Sequence, residues 1–190
     1  MKKSLIVSTG VLVGLTFGGY VGNTVANQPV EAKVIKKQGC KYDTKTKTLT
    51  TPECKIQIND MKVVTPRPSD TNGKTVLDVY YTLTNTNKTT KDEITPLNSG
   101  DVISAVRDTK GSQVDNLQVG MTPRIDESLN DKVQDQIKPG CSAKGQLAFE
   151  LTNEKDKVNI NLGSDSHKPI ATIKVDLSKV QHVQDQDPTM

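Results

Sequence analysis

The amino-acid sequence predicts an all-β protein, an antiparallel β-sandwich of about seven or eight short strands. Three observations carry that expectation. Apolar and polar residues alternate with a period of two through most of the chain, which suits strands buried on one face. Clusters of Pro, Asn, Asp and Gly punctuate these runs at turn spacing. Beyond residue 26 the only aromatic residues are Tyr42, Tyr80, Tyr81 and Phe149, and there is no Trp. The core must therefore be built from Val, Ile and Leu, and branched side chains pack well on a pleated surface.

The first segment is not a strand. Lys2 and Lys3 precede an uncharged stretch from Leu5 to Gly22, and small residues then offer cleavage after Ala26 or Ala32. This is the form of an export signal over residues 1–26. An uncleaved membrane anchor is the alternative, because a run of this length is near the minimum for crossing a bilayer. Gly18, Gly19 and Gly22 weaken that alternative, and no cysteine follows the run to form a lipobox. Residues 27–38 read as a flexible lead-in, 39–180 as the sandwich, and 181–190 as a polar, frayed tail.

Without residues 1–26 the chain has the usual size of one domain. It also sheds Lys2 and Lys3 from a formal net charge of +3. A near-neutral chain gives no electrostatic reason to expect nucleic acid or an anionic membrane as partner. The runs KYDTKTKT and AKVIKKQ are locally basic and read as a solvated face or an edge strand, where lysines discourage unwanted pairing.

The strands follow in order. In KIQINDMKVV, Ile56 and Ile58 share a face while Met61 and Val63 continue on the opposite parity. A β-bulge at Asn59–Asp60 would keep both halves facing the core. TPRPSDTNGK is a turn with Asn72-Gly73 at its tip. VLDVYYTL then sends Leu77, Val79, Tyr81 and Leu83 inward, and Asp78, Tyr80, Thr82 and Thr84 outward. Shorter extended pieces follow at DVISAVRD and SQVDNLQV, and IDESLND can form one helical turn before Pro139-Gly140. Alternation returns in SAKGQLAFEL, with Ala143, Gly145, Leu147, Phe149 and Leu151 inward, and again in KVNINL and ATIKVDL.

Cys40, Cys54 and Cys141 lie in a chain expected to be exported, where a disulfide can persist and one thiol is left over. A Cys40–Cys54 bridge would close the loop KYDTKTKTLTTPE, worth about 3 kcal/mol in the chain-entropy model. Cys54–Cys141 is the competing pair, and Cys40–Cys54 is preferred. Nothing near the remaining thiol would lower its pKa and activate it.

The pass for chemistry finds no metal-ligand spacing around His167 or His182. Asp126, Glu127 and Asp131 do not match a calcium loop. Gly-x-Ser-x-Gly, HExxH and Gly-rich phosphate loops are missing. No catalytic residue, metal or cofactor is expected. Asn87-Lys88-Thr89 fits the N-glycosylation pattern, but it also reads as a strand-ending turn in which polar side chains bond the backbone. Tyr80 on the polar face, Asn87, Lys88 and the loops at 66–73 and 85–99 remain as candidate contact residues, chosen from exposure.

Three stretches carry a resemblance: YDTKTKTLTTPECKIQINDMKVV, GKTVLDVYYTLTNTNKTT and IKPGCSAKGQLAFEL. In this order they resemble the immunoglobulin-like domains of unknown function found in exported proteins and lipoproteins of Gram-positive bacteria. Those domains are similar in fold to a mycobacterial immunoprotective extracellular antigen. In that family a YTLTN-type motif ends a core strand, matched here by Tyr81 to Asn85. A PGxSAKG-type motif introduces a later core strand, matched by Pro139, Gly140, Ser142, Ala143, Lys144 and Gly145. The cysteines and the missing lipobox depart from the pattern. The resemblance implies an immunoglobulin-like sandwich and transfers no catalytic residue.

The resulting expectation is a secreted or extracellular, non-enzymatic module with an unidentified protein or cell-envelope partner. A secreted hydrolase or hydrolase inhibitor is one alternative. The other is a structural spacer, held at the membrane only if the N-terminal segment is uncleaved.

Overall fold

Among the described residues eleven strands, from β1 to β11, make up two sheets in the computed structural model. It describes residues 34–37, 39–88, 94–96, 102–108, 115–123, 127–130, 132, 134–154, 157–163 and 168–186. The expected export signal, His167, Asp126 and Asp131 fall outside these residues, as does the side chain of Glu127. In chain order the strands are β1 Val34–Lys37, β2 Cys40–Asp43, β3 Thr48–Thr50, β4 Cys54–Thr65, β5 Val76–Asn85 and β6 Ile103–Arg107. The rest are β7 Asp115–Asn116, β8 Ser142–Glu150, β9 Lys157–Leu162, β10 Ala171–Asp176 and β11 Gln181–Gln184. The first sheet runs β1-β2-β3-β4-β5-β8 with β11 also on β4, and the second runs β10-β9-β6-β7. The expected helical turn is α1, Glu127–Asn130. The fold is an all-β, largely antiparallel sandwich.

Periodicity placed the inward face of β5 correctly, but Asp78 and Gln146, expected to face outward into solvent, are also buried, at 0% and 5% exposure. Leu77, Val79, Tyr81 and Leu83 of β5 are all 2% exposed or less, and Ile56, Phe149, Ile160 and Leu162 meet them between the sheets. Each such side chain removed from water contributes roughly 1.5–3 kcal/mol. The bulge is also present: Ile58 pairs with Tyr81, then Asp60 with Tyr80, so Asn59 is the extra residue. By absorbing one position it returns Val63 to the core, where it is fully buried.

Two expected boundaries are corrected. Residues 34–37 are not part of a flexible lead-in, because they pair antiparallel with β2 from Val34↔Asp43 to Lys37↔Cys40. Residues 181–184 are not frayed, because β11 runs parallel to Lys62–Thr65 of β4. The Thr65 hydroxyl donates to the Val183 carbonyl (3.3 Å), and the Asp185 N–H donates to the Thr65 carbonyl (2.9 Å). His182 adds a ring nitrogen 3.1 Å from the Leu177 carbonyl. Backbone hydrogen bonds hold this polar strand, so apolar alternation could not reveal it.

The expected Cys40–Cys54 disulfide is not formed, and no bridge joins either residue to Cys141. Strand register explains this. Lys41 pairs with Thr50 and Thr50 with Lys55, so Cys40 and Cys54 flank Thr51 from opposite sides. The Thr51 N–H donates to the Cys54 carbonyl (2.8 Å), and its hydroxyl lies 3.4 Å from the Cys54 Sγ. Two strand spacings amount to about 9.6 Å, beyond the roughly 7 Å that a disulfide spans between Cα atoms. Cys54 and Cys141 are likewise separated by Asn85, which pairs with Cys54 and hydrogen-bonds to Cys141. Burial pushes the Cys54 thiol above its ordinary pKa. In the folded chain a thiol alkylating reagent is expected to label exposed Cys141 alone, with Cys40 and Cys54 labelled only after unfolding. Intact mass before and after denaturant checks this. Three labels are expected in the denatured, unreduced chain, and a single label, on Cys141, would restore Cys40–Cys54.

At the end where β2 and β3 lie, the outer face of the first sheet is polar. Lys41, Thr50, Lys55, Thr84 and Ser142 stand in one cross-strand row over β2, β3, β4, β5 and β8. Asp43, Thr48, Gln57, Thr82 and Lys144 form the next.

Candidate functional site

The proposed contact residues separate once they are placed. Tyr80 points outward from β5 as expected, but it is only half-exposed. The Lys62 ammonium sits 4.7 Å from its ring centroid, a cation–π arrangement, and the hydroxyl is buried. Asn87 is half-buried, and its N–H donates to the Asn85 Oδ1 (2.9 Å). Lys88 is exposed. The three therefore form no common site. Asn87 belongs to the turn that ends β5, as the turn reading of NTNKTT requires.

Asn85 organises that turn. It is 1% exposed, and its Nδ2 donates to the Ile137 carbonyl (2.7 Å) while Oδ1 accepts from Asn87. Its N–H donates to the Cys141 carbonyl (3.0 Å) and its carbonyl accepts from Gly140 (2.9 Å). Gly140 has φ +77°, so two residues, Gly140 and Cys141, oppose one in a bulge that favours glycine. The two sequence motifs thus meet: Leu83 pairs with Ala143 and Tyr81 with Gly145. The Tyr81 ring lies directly across Gly145, where a Cβ would collide with it, and its hydroxyl donates to the Pro96 carbonyl (2.8 Å). Both motifs are structural.

A cleft of about 300 Å³ opens at the other end of the first sheet. The loop between β4 and β5 forms one wall. In it the Asp70 N–H donates to the Arg67 carbonyl (3.0 Å), the Gly73 N–H to the Asp70 carbonyl (3.3 Å), and the Asn72 N–H to Asp70 Oδ1 (3.2 Å). The Asn72-Gly73 turn is thus anchored on Asp70. Val64 and Val76, from a small apolar cluster on the outer face, form the floor, and Met121 and Pro123 form the opposite wall. Arg67 and Asp185 also line it, as does the Lys74–Glu150 ion pair at 2.5 Å. Met121 is 86% exposed and nearby Val119 is 60% exposed, the only large apolar side chains so exposed among the described residues. Val119 bridges to Phe149, and the Gly120 N–H donates to the Ala148 carbonyl (2.9 Å), which holds Met121 at the rim. The loop at 66–73 was an expected contact segment; Met121, Val119, Glu150 and Asp185 were not. GMTPR has no strand or helix period, so its apolar residue carried no signal of position.

Among the described residues no cluster of three or more His, Cys, Asp or Glu could hold a metal ion. No helix among them is long and apolar enough to cross a membrane.

These features define a two-sheet β-sandwich whose shared motifs lock two core strands together and whose end loops shape an open cleft. The chain belongs to the family described as Domain of unknown function (DUF5067), whose pattern matches residues 31–163. Two solved structures share the fold. A "putative lipoprotein" from Staphylococcus aureus is 19% identical with a TM-score of 0.62, over 82% of this chain and 100% of that one. A protein from Enterococcus faecalis is 23% identical with a TM-score of 0.50, over 75% of this chain and 92% of that one. No curated protein matches the chain.

Proposed function

We propose that the chain is a secreted or cell-surface, non-enzymatic, immunoglobulin-like module that binds a protein or another envelope component through the end cleft. The observation that carries this reading is an exposed Met121 beside an apolar floor, ringed by Arg67, Asp70, Lys74 and Glu150. An apolar centre with a polar rim is the anatomy of a protein-binding surface, and a flexible Met adapts to varied partners. Export is supported by the basic start and uncharged run of residues 1–26. The immunoglobulin-like reading is supported by the two-sheet antiparallel topology and by the pairing of the YTLTN and PGxSAKG segments.

The chain purified from culture medium, used as bait in envelope extract, is expected to capture a partner that Met121→Glu and Arg67→Glu variants lose. Loss of more than about 1 kcal/mol of binding per residue would mark both as hot spots. Capture unchanged in both variants would remove the cleft from the reading. Capture no greater than that by denatured bait would overturn the reading itself.

A further inference from the structure

Strand β10 ends the second sheet, so among the described residues it has a partner strand on one side only. Its pairing fixes which backbone groups face the open side. The Gly163 N–H donates to the Val102 carbonyl (2.9 Å) and the Asp108 N–H to the Lys157 carbonyl (2.8 Å). Odd-numbered residues of β9 therefore turn their backbone groups toward β6. The even-numbered ones turn toward β10, where they meet Ala171, Ile173 and Val175. Thr172, Lys174 and Asp176 are left with N–H and C=O groups aimed away from the sheet. Their side chains lie on the solvent face, while Ala171, Ile173 and Val175 face the core. Ile173 is only half-buried, although both its inward neighbours are covered.

Charge selects what can dock on this edge. Lys168 precedes the strand, Lys174 stands within it, Lys179 follows it, and Lys157 lies across from Asp176 on β9. All four lysines are exposed. Asp176 is the one acid of β10, and its carboxylate is already engaged. Its Oδ1 accepts from the Ser178 N–H (3.2 Å) and hydroxyl (2.7 Å), and Lys179 Nζ lies 3.7 Å from Oδ2. Lys168 and Lys174 have no ion-pair partner among the described residues. A lysine-lined edge repels neutral and basic strands that would otherwise add to it. A second copy of the chain is disfavoured too, because two-fold pairing of β10 would set both lysine groups side by side. An acidic strand meets the opposite situation. Directly opposed residues have Cβ atoms about 4.5–5.5 Å apart, so an acid facing Lys174 is within reach of its ammonium.

We infer that the open edge of β10 binds an extended acidic peptide, added as a fifth strand of the second sheet. Thr172 and Lys174 pair with its backbone, as in other strand additions. Acidic residues on its solvent face meet Lys174 and the neighbouring lysines, and apolar residues between them cover Ile173. This edge shares no residue with the cleft.

Fluorescence polarisation of a labelled peptide of alternating Glu and Val, titrated with the purified chain, tests this. Saturable binding is expected, weakening as salt rises. A peptide of alternating Lys and Val should bind at least about tenfold more weakly. The Glu peptide N-methylated throughout should not bind, since it has no N–H to donate to a strand edge. Thr172→Pro removes one outward N–H without breaking a bond to β9, so the chain should fold and bind roughly tenfold more weakly. The N-methylated peptide tests the same bonds without altering the chain. Lys174→Glu should weaken binding roughly fivefold or more, and Lys174→Gln less. Lys45→Glu makes the same charge change in the exposed turn before β3 and should bind within about threefold of the parent. No saturable binding, equal binding of the Lys peptide or the N-methylated peptide, unchanged binding in a folded Thr172→Pro, or equal loss in Lys174→Glu and Lys45→Glu would each overturn the inference. A chain dimer that Thr172→Pro abolishes would overturn it as well, by assigning the edge to a second copy.

Discussion

Replacing Asn85 by Ala is expected to destabilise the protein by about 2–4 kcal/mol. The side chain is buried and satisfied at both ends, donating to Ile137 and accepting from Asn87. Alanine removes both bonds and leaves the Ile137 carbonyl and the Asn87 N–H without this partner in a site shielded from water. Each such orphaned group costs about 1–3 kcal/mol. Asn85→Asp should be no rescue, because a carboxylate can accept from Asn87 but cannot donate to Ile137, and its charge would be buried. Thr84→Ala is the contrast. It removes only the 2.8 Å bond to Ser142 on the exposed face and should cost under about 1 kcal/mol. Urea unfolding checks these values, with the midpoint moving and the slope unchanged. An Asn85→Ala midpoint no lower than that of Thr84→Ala would show that Asn85 does not hold the turn.

Gly145→Ala is expected to cost about 1–3 kcal/mol, although glycine in a strand is ordinarily a weak choice. The added methyl would drive into the Tyr81 ring and hydroxyl. The ring cannot simply withdraw, since it is 1% exposed and its hydroxyl is bonded to Pro96. A double-mutant cycle assigns the cause. In a Tyr81→Leu background the extra methyl has room, so Gly145→Ala should cost at least about 1 kcal/mol less there than in the parent. Equal costs in the two backgrounds would point to the backbone rather than the ring.

These two residues show what the amino-acid sequence makes legible. The inward set of β5, the bulge at Asn59 and the inward face of β8 all follow from strict alternation, because burial on one face imposes a period of two. Asn85 was readable as a turn residue from its place at the end of an apolar run. Its partner Ile137 was not, since the bond joins residues 52 apart in the chain. The cysteines fail for a related reason. Loop length sets the entropy of closing Cys40 to Cys54 but carries no information that Thr51 will stand between them. The cleft was half legible. Pro, Asn and Gly marked the 66–73 loop, whereas Met121 comes to it by way of the Gly120–Ala148 hydrogen bond, which has no sequence pattern.

Strand β4 shares one edge between two distant segments. Thr48–Thr50 covers its first part and Gln181–Gln184 its second, and the latter contact links residues 118 apart. A chain that emerges in order during synthesis therefore holds half of a long strand unpaired until more than a hundred further residues have followed. Loop closure over that distance is slow relative to local pairing, and an unpaired edge recruits neighbouring chains. Lys62, set in that uncovered half with its ammonium over Tyr80, places a charge where a foreign strand would otherwise dock. The same geometry that completes the sheet late thus sets a period of vulnerability during folding, with a lysine guarding it.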